Sequence, residues 1–103
     1  APVQAIVIPV ADRHLDYAHK LETELKSEGI RVEVDARSER VNLKVRQAQL
    51  AKIPYMLVVG DKEVAASTVS VRLRSTEQLT TQSIASFKKT IRKAIKDKIK
   101  DLG

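Results

Sequence analysis

The patterning of this 103-residue chain predicts an α/β fold: a five-stranded mixed sheet with one antiparallel strand, flanked by three helices in three layers. Three observations carry that expectation. Apolar runs of strand length alternate with segments of helical period from the start of the chain to Val59. At Gly60-Asp61 the alternation gives way to a tight-turn signal between two strand-like runs. A long amphipathic segment, Thr80 to Gly103, then closes the chain.

Val3 to Val10 (VQAIVIPV) is apolar, rich in β-branched residues and of strand length, which predicts a buried first strand. From Asp12 a helical period takes over, with Leu15, Ala18, Leu21 and Leu25 on one face. Asp12 is a candidate cap and Gly29 a stop signal. Ile30 to Val34 alternates apolar and charged residues, predicting a second strand. Ser38 or Glu39 is expected to open a second helix with Val41, Val45 and Ala48 inward, broken at Lys52-Ile53-Pro54. Tyr55 to Val59 (YMLVV) predicts a third strand buried on both faces. Lys62 to Ala65 and Thr68 to Arg74 are then expected as strands four and five, joined through two hairpins. In the last helix Ile84, Phe87, Ile91, Ala94, Ile95, Ile99 and Leu102 form the apolar side, with Thr80 or Thr81 as cap. The two β-α-β steps imply right-handed parallel crossovers with helices covering the sheet.

The length suits one domain. Hydrophobic residues make up 43% of the chain, enough for a packed core, which excludes a disordered chain. No apolar stretch approaches the roughly 18–20 residues of a membrane span, and no secretory leader pattern is visible. Cysteine is absent, which excludes disulfides and thiolate metal sites and suits a reducing compartment. The chain opens at Ala1-Pro2 without an initiator Met, the expectation for a domain cut from something longer. The net charge of +6 is concentrated. Residues 1–79 hold 12 basic and 11 acidic side chains, residues 80–103 hold 7 and 2. That balance favours polyanionic partners such as nucleic acid.

Enzyme signatures are missing. There is no Walker A loop, no G-x-G-x-x-G and no G-x-S-x-G elbow, and only three glycines occur in all. His14 and His19, five apart on a helix, have the wrong spacing for one metal and are expected as two half-exposed helical histidines. A phospho-acceptor domain would need an acid before a helix after the third strand, together with an acidic cluster. Asp61 and Asp12 are present, but Asp61 is expected in a hairpin. The three aromatic residues are Tyr17, Tyr55 and Phe87, with the last two at core positions. A row of exposed stacking rings is therefore excluded, and an RNA-binding role would rest on polar side chains reading base edges and on Lys and Arg holding phosphates.

The segments QAIVIPVADRHLDYAHKL, GIRVEVDARSER, KVRQAQLAKIPYMLVVGDKEV and TVSVRLR resemble successive blocks of the C-terminal anticodon-binding domain of threonyl-tRNA synthetases, a class II aminoacyl-tRNA synthetase family. The resemblance spans essentially the whole chain, and Lys44 to Val64 is its most specific part. It implies a single domain over residues 1–103, from the C-terminus of a longer, cytoplasmic threonine–tRNA ligase, non-catalytic by itself. ATP, Mg and Zn would serve the parent enzyme in its other domains, with no cofactor in this one. The implied partners are the anticodon stem-loop of threonine tRNA and the parent's catalytic domain, with neither membrane nor DNA involved.

Threonine codons are ACN, so every threonine anticodon ends in G and U, and the domain has one guanine and one uracil to read. A carboxylate accepts from guanine N1–H and N2–H₂; an Arg donates to guanine O6/N7, uracil O4 or phosphate. By resemblance Glu63 and Arg72 are the base readers, Arg46 contacts the loop, and Arg37 and Ser38 are further contacts. The bland alternative for Glu63 and Arg72 is a cross-strand salt bridge. The family commonly has Asn at position 38 and Gly at position 42, where this chain has Ser38 and Asn42. Serine's single hydroxyl replaces a carbonyl and an amide, and Asn tolerates a left-handed backbone. Lys88, Lys89, Arg92, Lys93, Lys96, Lys98 and Lys100 on the last helix are expected chiefly as a solvated face, with tRNA backbone contact as the alternative. Two rival functions stand beside tRNA reading: a protein-interaction module keeping the fold for docking, and the phospho-acceptor domain.

Overall fold

The computed structural model describes residues 3–73 and 79–102, with side chains described at 3–73 and 80–94. In chain order the elements are β1 (Ala5–Pro9), a 3-10 turn (Asp12–His14), α1 (Leu15–Ser27), β2 (Val32–Val34), α2 (Val41–Leu50), β3 (Tyr55–Val59), α3 (Asp61–Ala66), β4 (Thr68–Leu73), β5 (Leu79–Ser83) and α4 (Ile84–Leu102). The sheet order is β2-β1-β3-β4-β5. β1, β2 and β3 are parallel, and β4 runs against both β3 and β5. The sheet thus has one antiparallel strand, as the sequence predicts, but that strand is Thr68–Leu73 rather than Lys62 to Ala65.

Alternation along the strands divides the core in two. Ala5, Val7, Leu57, Val59, Val69 and Val71 face α1 and α4, against Leu21, Leu25, Phe87 and Ile91. Ile8 and Met56 face the other way, against Val45 and Ala48 of α2 and Ile53 beyond it. The step from β1 to β2 moves outward through α1, and the step from β2 to β3 moves back across β1 through α2. Crossovers of one hand that travel in opposite directions must lie on opposite faces, which yields the three layers. Tyr55 and Phe87 meet edge to face with ring centroids 5.8 Å apart, a geometry worth about 0.5–1.5 kcal/mol beyond its area.

Three expectations are corrected. Residues 61–66 form a helix, so there are four helices rather than three, and Lys62 to Ala65 is not a strand. The reason is local: Gly60 occupies the N-cap, and Glu63 Oε1 accepts the Gly60 N–H at 2.9 Å. Ser67 ends the helix in the left-handed region, at φ 55°. Second, the fifth strand is Leu79–Ser83, so Thr80 and Thr81 lie in a strand, and Ser83 Oγ accepts the Ser86 N–H at 3.1 Å as the true cap of α4. Third, α2 starts at Val41, with Arg40 as N-cap and Ser38 and Glu39 in the approach. The expected end of the former fifth strand at Arg74, the side chains of Ile95, Ile99 and Leu102, and those of Lys96, Lys98 and Lys100 lie outside the described residues.

The ends of α1 and α2 are built alike. After α1, the Gly29 N–H bonds Lys26 O and the Ile30 N–H bonds Leu25 O. After α2, the Lys52 N–H bonds Gln49 O and the Ile53 N–H bonds Ala48 O. Both are Schellman motifs. Gly29 takes its left-handed φ of 79° at no steric cost, whereas Lys52 holds 62° with a side chain.

Candidate nucleic-acid interface

The core beneath α2 stops at β3. Beyond it the same face of the sheet continues on β4 and β5 as Ser70, Arg72 and Thr81: Arg72 lies opposite Met56, Ser70 opposite Val58, and Thr81 opposite Ser70. These are polar side chains where a covered sheet would carry apolar ones. Arg72 is half-buried, and its Nε is buried without a hydrogen-bond partner among the described residues. A buried donor left unpaired costs on the order of 1–3 kcal/mol.

α2 forms one wall of the strip. Its Lys44 and Gln47 turn toward β2, where they meet Asp35 and Arg37. Helical spacing therefore puts Asn42, Arg46 and Gln49 on the opposite flank, toward β4. Arg46 is exposed there. Asn42 lies in regular helix, so this position needs no left-handed backbone.

On the β2 side a charged network orders the approach to α2. Asp35, almost fully buried, accepts from the Arg37 backbone N–H at 3.2 Å, from Nε at 2.9 Å and from Nη2 at 2.7 Å. Arg37 also donates to Gln47 Oε1. Lys44 is 3% exposed and donates from Nζ to Asp35 O at 3.1 Å. The Arg37 guanidinium holds the Asp35 carboxyl below its usual range, and Asp35 in turn raises Arg37. Ser38 is exposed next to this network. An open groove of about 560 Å³ lies alongside, lined by Ile6, Glu33, Val34, Asp35, Ala36 and Arg37.

Glu63 stands elsewhere, on α3 at the carboxyl end of β3. Arg72 pairs with Met56, four residues back from Gly60, so roughly 13 Å of strand separates the two sites. The cross-strand salt bridge between Glu63 and Arg72 is therefore absent, because Glu63 is on a helix and one of its oxygens caps that helix. Arg72 lies on the polar strip of the sheet and Arg46 on the exposed flank of α2, with Arg37 and Ser38 at the approach to α2 and Glu63 at the sheet's end.

Sequence reasoning missed a cluster behind α3. Asp61, its first residue, accepts from Arg13 Nε at 3.0 Å and Nη2 at 2.7 Å, and lies 2.6 Å from His14 Nε2. The Ala11 N–H donates to His14 Nδ1 at 3.1 Å. A backbone N–H can only donate, so Nδ1 is the acceptor and Nε2–H donates to Asp61. Arg13 and His14 hold the Asp61 carboxyl well below the usual range. His14 is 3% exposed, which corrects the expectation of two half-exposed histidines; His19 is exposed, beside Glu22. Asp61 does precede a helix, removing one objection to a phospho-acceptor site. Its carboxylate is nonetheless engaged by two cationic or donor groups, and no group of three potential metal ligands exists among the described residues.

The basic helix α4 is on the layer opposite α2. Lys88 pairs with Glu24 at 3.7 Å, and Arg92 pairs with Glu28, both on or just after α1. These charges link two helices of one layer. Among the described residues no helix is long and apolar enough to cross a membrane.

The five-stranded mixed sheet packed by helices on both faces is an α/β module, and a family model described as "Anticodon binding domain" matches residues 4–94, so the chain belongs to the family of anticodon-binding domains. Among the proteins it is similar to are threonine–tRNA ligases. That of Dehalococcoides mccartyi is 56% identical over 98 residues, covering 95% of this chain and 17% of the relative. That of Syntrophomonas wolfei is 50% identical over 99 residues, covering 96% and 16%. The chain thus spans about one-sixth of the length of these relatives. The solved RNA-binding domain of threonyl-tRNA synthetase from Cryptosporidium parvum superposes with a TM-score of 0.85 at 30% identity, over 90% of this chain and 24% of that one. Prolyl-tRNA synthetase from the same organism gives a TM-score of 0.84 at 24% identity, over 94% and 21%, a likeness of fold.

Proposed function

We propose that this chain binds the anticodon stem-loop of threonine tRNA and reads the G and U common to its anticodons, as one domain of a longer threonyl-tRNA synthetase. The observation that supports the reading is the polar strip of Ser70, Arg72 and Thr81 on one face of the sheet, where the Nε of Arg72 has no hydrogen-bond partner among the described residues. Arg46 on the wall of the strip supplies phosphate or loop contact, and Arg37 and Ser38 meet the loop at the entrance of α2. Glu63 has a second carboxylate oxygen for the donor edge of guanine, since only Oε1 is bonded among the described residues. Aminoacylation, with its ATP, Mg and Zn, belongs to the rest of the parent enzyme, whose catalytic domain is this domain's protein partner, in the cytoplasm.

The test is a comparison of two RNA stem-loops, one carrying a threonine anticodon and one with its central G replaced by A. The G form is expected to bind more tightly by a factor of about 5–150, the equivalent of 1–3 kcal/mol at one base. Equal affinity for the two would sink specific reading.

A further inference from the structure

α3 is six residues long and buries none of its side chains. Isolated helices of that length are unstable in water, so tertiary contacts must hold it. Its end caps are local, from Glu63 to Gly60 and from Ser67 to Glu63. Among the described residues, the side-chain hydrogen bonds that tie α3 to a distant part of the chain meet at Asp61, whose partners Arg13 and His14 lie 48 and 47 residues away. Of these three, Arg13 and Asp61 are largely exposed, at 68% and 69%, where an ion pair is screened and weak. His14 is different: it is buried, fixed on one side by the Ala11 N–H and aimed on the other at Asp61. Its ring is a rigid spacer between the backbone after β1 and the first turn of α3.

We infer that His14 is a positioning residue for the base-reading site: through Asp61 it fixes the α3 turn, and thereby the carboxylate of Glu63 two residues on. The inference rests on the proposed reading by Glu63, and the clamp itself can be tested without RNA. Nothing in His14 touches the RNA. It acts on the direction in which Glu63 is presented, so its loss should remove discrimination between bases while leaving the phosphate contacts of Arg46 and its neighbours intact.

Two readouts separate the parts. In the whole chain, His14→Ala and the exposed Asp61→Ala are each expected to raise amide exchange at Val64 and Ser67 at least about tenfold, because those N–H groups bond Gly60 O and Glu63 O within α3. Exchange at Val58, in the centre of the sheet, should be unchanged. With the threonine stem-loop and its G-to-A counterpart, both variants should lose most of the preference for G with the salt dependence of binding unaltered. His14→Gln, whose amide can still donate toward Asp61, should restore protection and preference together. Unchanged exchange of α3 in Asp61→Ala overturns the clamp. Raised exchange with full retention of the G preference overturns the positioning role. If wild type shows no G preference, the proposed reading by Glu63 fails and the positioning role fails with it, while the exchange data still decide the clamp.

Discussion

Glu63→Gln is a substitution whose outcome follows from counting lone pairs. In the folded chain Oε1 of Glu63 accepts the Gly60 N–H at 2.9 Å, and the second oxygen makes no bond among the described residues. Glutamine keeps one acceptor and replaces the other with two donors. If its oxygen stays on Gly60, the cap survives and folding stability should change by less than about 0.5 kcal/mol. Glu63→Ala, which removes the cap, should cost roughly 0.3–1.5 kcal/mol. For RNA the consequences invert. Guanine offers two donors, N1–H and N2–H₂, and the new amide opposes donors with donors. Adenine offers an N6–H₂ donor beside the N1 acceptor, which the Gln amide complements. A loss of about 1–3 kcal/mol at guanine, a factor of about 5–150, should therefore accompany a gain at adenine. Fluorescence anisotropy with the two stem-loops, alongside urea denaturation, measures both sides. Retention of the wild-type G preference in Glu63→Gln would show that this carboxylate does not read the base.

Four other outcomes follow from the geometry. Lys52→Gly should raise stability by about 1 kcal/mol, because it removes a side chain from a left-handed backbone position that the Schellman motif requires; an unchanged midpoint in urea would contradict this. Lys44→Met should cost about 1–3 kcal/mol and expose the Arg37 amide to exchange, because it strips the donor from Asp35 O; equal stability and protection would show that the buried ammonium holds nothing. The same network makes stability fall in acid. Asp35 is depressed in the fold, so its contribution is complete above the ordinary carboxylate range and disappears as pH falls through the lower folded value; Asp35→Asn should flatten that acid limb in denaturation between about pH 2 and 5. Finally, Arg46→Ala should lower the salt slope of RNA binding by up to about 0.7–0.9, while Lys93→Ala on the far layer leaves it unchanged; the opposite pattern would move the RNA to α4.

Legibility in the sequence depended on whether the deciding interaction was local. Tyr55–Val59 was legible to the residue, because a short apolar run between Pro54 and Gly60 has one good solution. The end of α1 was legible through Gly29, while the identical end of α2 carried no glycine and was signalled only by the proline beyond it. α3 was obscured because Gly-Asp between apolar runs imitates a hairpin turn, although the Gly60-to-Glu63 spacing of a capping box was available. β5 was lost to Thr80 and Thr81, which suit a cap and a strand equally well. Among the site residues, Arg46, Arg72 and Glu63 came from family likeness, and their separation over two parts of the surface followed only from the register. The burial of His14 and Lys44 depends on partners brought in by tertiary structure, Asp61 for one and the end of β2 for the other, and no spacing in the chain announces either.

The Arg13–His14–Asp61 cluster has a bearing on where this scaffold could hold a small molecule. In open α/β sheets the crevice outside the carboxyl ends of two strands whose crossovers depart in opposite directions is the customary place for a small molecule. Here those strands are β1 and β3, and the segments leaving them are the ones that the cluster ties together. Side chains of the chain itself thus meet across that crevice, a plug made of hydrogen bonds and an ion pair. A designer wishing to give this scaffold a small-molecule pocket would have to begin by dismantling that plug, and would loosen α3 in doing so.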